Sequence, residues 1–339
     1  MPPSAHPHPI KSRWFRKPLE ALFPDKRFDG QFQNPDTGEV FDFDDIIAAT
    51  DPISEIAQTI AYYPQSDPAA QSAALCTVFI SGLGQTEAES SKRSRRYAQV
   101  LNVGIANLHN GSFILDKPFL ARINPYFDWL DAGIHRLGLL DSPVIENTAR
   151  LILKAIETET SLNLSGDSHG TILLARALWR ARRKFIRRSS RPWDLQQRRE
   201  AIAQWQVQAR EWINVFTFGH GYRNWVKGPR YSMVYIEGDP LPEKFGLTPI
   251  QANRRERGDI KFLKFPRLFK PGNFEAHNMM FTIEFLKTTF QINDLAVGDF
   301  YGLDQKLHHG SLDIPTQNQV QWPEDISDYV WNPTSLEGV

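Results

Sequence analysis

The chain has 339 residues, 41% hydrophobic and 12% aromatic, with 39 Lys/Arg against 39 Asp/Glu. Such a composition supports a folded chain with a sizeable core. Zero formal charge supplies no global field towards nucleic acid, and no run approaches ~18 uninterrupted apolar residues, so no membrane span is predicted. The one cysteine, Cys76, excludes an intrachain disulfide and reads as a core filler in an apolar run.

In chain order, residues 1–18 lack acids and interleave Lys11, Arg13, Arg16 and Lys17 with Trp14 and Phe15, which suits a disordered or membrane-touching leader without a secretory apolar region. Residues 1–70, punctuated by turns such as Asn34-Pro35-Asp36-Thr37-Gly38, read as a wrapping extension with short helices near 44–49 and 53–62. A catalytic domain is expected over 71–289 and a second wrapping extension over 290–339.

Alternation of strand and helix begins with the β-branched run 75–80, which enters Ser81-Gly82-Leu83-Gly84 as a buried parallel strand would. A crossover helix over 87–100 and a strand over 103–108 follow. Residues 118–159 read as mostly helical, with Ser142 as a cap and Pro143 at the first helical position. A strand over 162–165 leads into the helical run 171–179, and a second long helix spans 193–211. Strands at 213–218, 231–237 and 260–265 precede a helix over 277–286. Six strands separated mainly by helices predict an α/β fold with a doubly wound, mainly parallel sheet. The 219–230 join is barely long enough for a crossover, so a loop can stand there in place of a helix.

Between the 162–165 strand and its helix lies Gly166-Asp167-Ser168-His169-Gly170. In a strand–turn–helix context, G-x-S-x-G reads as a nucleophile elbow. A serine on so sharp a turn is strained and exposed, and glycines two residues either side let strand and helix approach. A serine hydroxyl needs an imidazole to take its proton and a carboxylate to orient that imidazole. In such a sheet both belong at the C-terminal ends of later strands. Asp239, in Glu237-Gly238-Asp239-Pro240-Leu241-Pro242, and His277, in Phe274-Glu275-Ala276-His277-Asn278, satisfy that rule in the order Ser, Asp, His. The backbone N–H groups of His169 and Leu83 are the expected oxyanion donors. Rivals for the base are His220, His308 and His309; rivals for the acid are Asp259, Asp294 and Asp299. Asp239 can equally be a turn former and His277 a helix-start residue.

On these residues the chain resembles α/β-hydrolase-fold serine hydrolases over roughly 74–287, and Glu237–Pro242 is similar to the acid-bearing segment of class 3-type lipases. His169 and Thr171 depart from the leucine and third glycine more frequent in those lipases. The resemblance implies hydrolysis of carboxylic esters, including acyl lipids, with no cofactor or metal. An acyltransferase or thioesterase would use the same triad, and a non-catalytic binding protein could share the scaffold. A cytoplasmic or membrane-peripheral location is expected.

Between Arg176 and Arg191 stand eight Lys/Arg and no acid. Such a face suits an anionic lipid surface, or acids elsewhere in the fold. Any membrane contact is expected to use Arg210 and Trp212, on the reading that the returning helix ends near the serine, with Arg183–Arg191 left as a remote solvated patch.

Overall fold

The computed structural model describes residues 24–64, 76–82, 86–101, 103–111, 124–137, 142–254 and 260–265. Six of its strands are parallel: β3 (Cys76–Ile80), β4 (Gly104–Leu108), β5 (Leu162–Asp167), β6 (Ile213–Phe218), β7 (Arg230–Ile236) and β8 (Ile260–Phe265). Two short strands, β1 (Phe32–Gln33) and β2 (Val40–Phe41), pair antiparallel and complete the order β2-β1-β4-β3-β5-β6-β7-β8. The result is a mixed α/β fold with a mostly parallel central sheet, consistent with the α/β-hydrolase fold. The β1–β2 pair falls in a stretch read for short helices alone. Those helices are also present, as α1 (Phe43–Ile47) and α2 (Pro52–Glu55), the latter running into a π turn at Ile56–Ile60.

The sequence of β3, β4 and β5 explains the layering. The chain steps from β3 outwards to β4, then back across β3 to β5, and crossovers between parallel strands are right-handed. A reversal of direction therefore moves the covering helices to the other face. Helix α3 (Glu87–Leu101) covers the first face, its Tyr97 packing edge-on against Phe79 of β3 and Phe218 of β6. The second face takes α4 (Asn124–Leu137), α5 (Pro143–Glu157), α6 (His169–Ser189) and α7 (Leu195–Trp212), which pack on one another. Helix α5 starts where the sequence signals it: Ser142 accepts a hydrogen bond from Ile145 N and Pro143 opens the first turn. Helix α7 starts two residues later than expected because Asp194 caps it, accepting from Gln197 N at 2.9 Å.

Strand β4 would leave an exposed flank without β1. Buried Asn107 fastens the two together, donating to Gln33 Oε1 at 2.9 Å and bonding Ser90 of α3 at 3.0 Å. On the other side, residues 219–229 join β6 to β7 as a loop with no helix. It fills the crossover's place with side chains: Trp225 and Tyr222 are buried, Tyr231 donates its hydroxyl to Val226 O at 2.8 Å, and Trp205 of α7 donates to Lys227 O at 2.9 Å. Cys76 is partly buried, and burial pushes its thiol up to about 12, which keeps it protonated and unreactive.

Helix α6 has 21 residues, about 31 Å, whereas β5 has six, about 20 Å. Its last turns therefore pass the N-terminal edge of the sheet and, with the start of α7, project beyond it. Arg180 and Lys184 both pair with Glu146 of α5, and Arg188 pairs with Glu157 at 2.7 Å. Burial raises the Glu146 carboxyl, but Lys184 and Arg180 outweigh it and leave it below the ordinary value. Half-exposed pairs of this kind contribute little stability, about 0–1 kcal/mol each.

Candidate active site

Ser168 stands between the end of β5 and the first residue of α6, with φ 51° and ψ −116°. A non-glycine residue held there stores on the order of 1–3 kcal/mol of strain. Close packing enforces the turn. A Cβ on Gly170 would lie 2.2 Å from Ile80 O, and one on Gly166 would lie 3.1 Å from Gly170 O, so neither position accepts a side chain without moving backbone. The turn is also bonded on both sides: Ser168 N donates to Phe218 O at 3.2 Å, and Thr171 donates its hydroxyl to Ser168 O at 2.6 Å. Thr171 Oγ1 in turn accepts from Gly221 N at 3.2 Å. The threonine that departs from the lipase pattern thus ties the elbow to the loop after β6.

The Ser168 side chain makes no capping bond to its helix, although serine is among the best capping residues. It is half-buried, not exposed as the turn alone implies. Gly82, two residues past β3, approaches it so closely that a Cβ there would lie 3.1 Å from Ser168 Cβ. The start of the loop after β3, at Gly82, therefore lies against the serine; α/β-hydrolases supply a second oxyanion donor from the loop at this place. The first-turn N–H of His169 has no acceptor within its helix, as all such amides lack one. Leu83 lies outside the described residues.

Asp239 precedes α8 (Pro240–Phe245), three residues past the end of β7 and at the same sheet edge as Ser168. With two inter-strand steps between β5 and β7, the lateral offset is about 10 Å. Its carboxylate is buried and accepts from Leu241 N at 3.0 Å, the geometry of an N-cap followed by proline. His277, His308, His309, Asp259, Asp294 and Asp299 lie outside the described residues. His220, the remaining rival base, is fully buried beside Tyr235 and Phe262, its Nε2 bonded to Leu247 O at 2.9 Å. That placement suits a histidine holding the β6–β7 loop to the segment after α8. The buried Tyr235 hydroxyl is pushed up to about 12 by burial, helped by Glu243 and Glu237, so it stays protonated.

The topology corrects the expectation for Arg210 and Trp212. Strand β6 runs parallel to β5, with Ile213 opposite Leu162 and Phe218 opposite Asp167. Helix α7 hands the chain to Ile213, so it must end at the N-terminal edge, about 20 Å along the strands from Ser168. Trp212 is partly buried against the core there. The helix returns to the sheet but not to the serine, because a parallel strand has to be entered from the opposite edge.

Next to the elbow lies a buried polar chain that sequence reasoning did not find. Asn110, two residues past β4, places its Nδ2 3.2 Å from Ser81 O, 3.3 Å from Gly82 O and 3.4 Å from His169 Nδ1. His169 Nε2 lies 3.3 Å from Nδ1 of His135 on α4, with the two rings stacked. Burial holds the His169 imidazole well below its ordinary value, and His135 and Lys26 add to the effect. It is therefore neutral near pH 7. On the far side of the serine, buried Asp167 lies 3.9 Å from an Arg93 guanidinium nitrogen of α3.

No family model matches the chain, and no curated protein matches it. Among solved structures, a lipase B of Aspergillus fumigatus is similar at 9% sequence identity and a TM-score of 0.32. That alignment covers 80% of this chain and 63% of the lipase.

Proposed function

We propose that the protein is a serine hydrolase of carboxylic esters, lipase- or esterase-like, working through an acyl-enzyme on Ser168. The observation that carries this reading is the strained Ser168 turn at the C-terminal end of a central parallel strand, with a side chain that does not cap its helix. His277 removes the hydroxyl proton as Ser168 Oγ adds to the ester carbonyl carbon. The Asp239 carboxylate holds the imidazole in the required tautomer and stabilises it when charged. The N–H groups of His169 and Leu83 receive the oxyanion. Collapse of the tetrahedral intermediate expels the alcohol with the proton from His277. Water, activated by the same imidazole, then releases the acid and restores the serine. The mechanism needs no cofactor or metal.

The test is pre-steady-state hydrolysis of p-nitrophenyl butyrate. An acyl-enzyme predicts a nitrophenolate burst matching the enzyme concentration wherever deacylation is slower than acylation, and mass spectrometry of quenched samples should find a butyryl group on Ser168. Hydrolysis with the acyl group on another residue, or no hydrolysis of any short-chain ester, would overturn it.

A further inference from the structure

Asn110 is nine-tenths or more buried and uses one amide nitrogen to face three acceptors at once. Two are the carbonyl oxygens of Ser81 and Gly82, in the loop that lies against Ser168. The NH2 carries two hydrogens for these three atoms and accepts none, so His169 Nδ1 faces it with its lone pair, at best sharing a hydrogen with a carbonyl, and the ring hydrogen sits on Nε2. His169 Nε2 lies 3.3 Å from His135 Nδ1, so the hydrogen on Nε2 fits a bond to that ring. Read in one direction, Asn110 faces His169 Nδ1 with its amide hydrogens, and His169 Nε2 faces His135 Nδ1. The other orientation of the amide would set its oxygen against two carbonyl oxygens, so the two carbonyls fix which way Asn110 is turned.

The elbow benefits electrostatically. A carbonyl oxygen near a forming oxyanion repels it, and in a water-poor site that repulsion is strong. Asn110 draws the Ser81 and Gly82 carbonyls to itself and anchors them to the side chain of His169, the residue that follows the nucleophile. We infer that Asn110 is a positioning residue of the hydrolase site, holding the loop after β3 against the elbow with its carbonyl oxygens turned from the reacting carbonyl, and that His169 and His135 lock its amide. This inference rests on the proposed ester hydrolysis at Ser168. It assigns to three residues, 59 and 34 positions apart in sequence, a single task that none of them performs by touching substrate.

The informative variants are Asn110→Asp and Asn110→Ala, measured in the full-length protein. The aspartate has the same shape but, ionised, offers only acceptors to the two carbonyls. We expect kcat to fall about 10²-fold or more, the scale of a lost or displaced oxyanion donor, with KM changed less than about threefold. Protonating the new carboxyl restores one donor, so the ratio of variant to parent kcat should rise as pH falls. Asn110→Ala should lose kcat without that recovery. A role confined to holding the fold would lower the melting temperature and the folded fraction but leave kcat per folded molecule and the pH ratio unmoved, which would overturn the inference. Fluorophosphonate labelling of the parent separates the two levels. A labelled, active parent with an undiminished Asn110→Asp variant removes the positioning role alone, whereas an unlabelled, inactive parent removes the hydrolase reading and this inference with it.

Discussion

Ser168 and Asp239 hold matching places at the same edge of the sheet, each the residue before a helix that follows a strand, yet their backbones are unlike. Asp239 has φ −62° and ψ 116°, caps α8 through Leu241 N, and is followed by a proline suited to the first turn. Ser168 has φ 51°, caps nothing, and leaves the tying of its turn to Thr171. The cap is a folding reason for an aspartate at this position. Folding requirements do not account for a serine where glycine would sit without strain, which is why the functional argument starts from Ser168 and why the role of Asp239 has to be separated from its cap by experiment.

The largest expected effect breaks the comparison on the serine side. Ser168→Ala should lower kcat for a short-chain ester by ~10⁴-fold or more while leaving the urea midpoint nearly unchanged; retained activity would reduce the elbow to a strained turn without chemistry. On the aspartate side, Asp239→Asn keeps a capping residue and removes the charge. It should cost ~10⁴-fold in kcat with little change in stability, whereas Asp239→Ala should lose about 1 kcal/mol of stability as well. If Asp239 only caps, the asparagine variant will be fully active.

Smaller effects sharpen the contrast in strain. Ser168→Gly should raise stability by about 1 kcal/mol, because glycine accepts a positive φ, and this relief exceeds its extra unfolded-state entropy. The corresponding Asp239→Gly change has no strain to relieve and should not stabilise. Chemical denaturation of the two variants measures the difference.

The neutral His169 beside the elbow adds a pH dependence. Its folded value is depressed below 6.5 by burial, with His135 and Lys26 contributing, so the unfolded chain binds a proton near pH 6.5 that the folded one refuses. The stability linked to this group is therefore complete above about pH 6.5 and declines as pH falls below it, by at most ~1.4 kcal/mol per unit. Urea midpoints should be flat from pH 7 to 8 and drop towards pH 5, and His169→Gln should flatten that acid limb.

The central strands and the elbow were legible because their signals are local. β-branched runs end in glycine turns, and a serine with glycine on both sides two residues away sits between a strand and a helix. Ser142 and Asp194 followed the same capping logic, and only the second moved a boundary. Strands β1 and β2 were not legible: two residues each cannot show an alternating pattern, and Phe32 and Gln33 become a strand only because β4 offers its open flank. The destination of α7 was misread since helix length was weighed without the direction of the strand that follows it. The link of Asn110 and His135 to His169, named only for its backbone N–H, was invisible for a different reason. Each alone is an ordinary polar residue, and their relation exists only once β4, α6 and α4 converge.

The most direct test is to treat the folded protein with a fluorophosphonate and locate the adduct by peptide mass spectrometry. One adduct per chain is expected, on Ser168, formed far faster than on a free serine and abolished by Asp239→Asn or prior unfolding. No adduct on a folded protein, or an adduct on a serine other than Ser168, would contradict it.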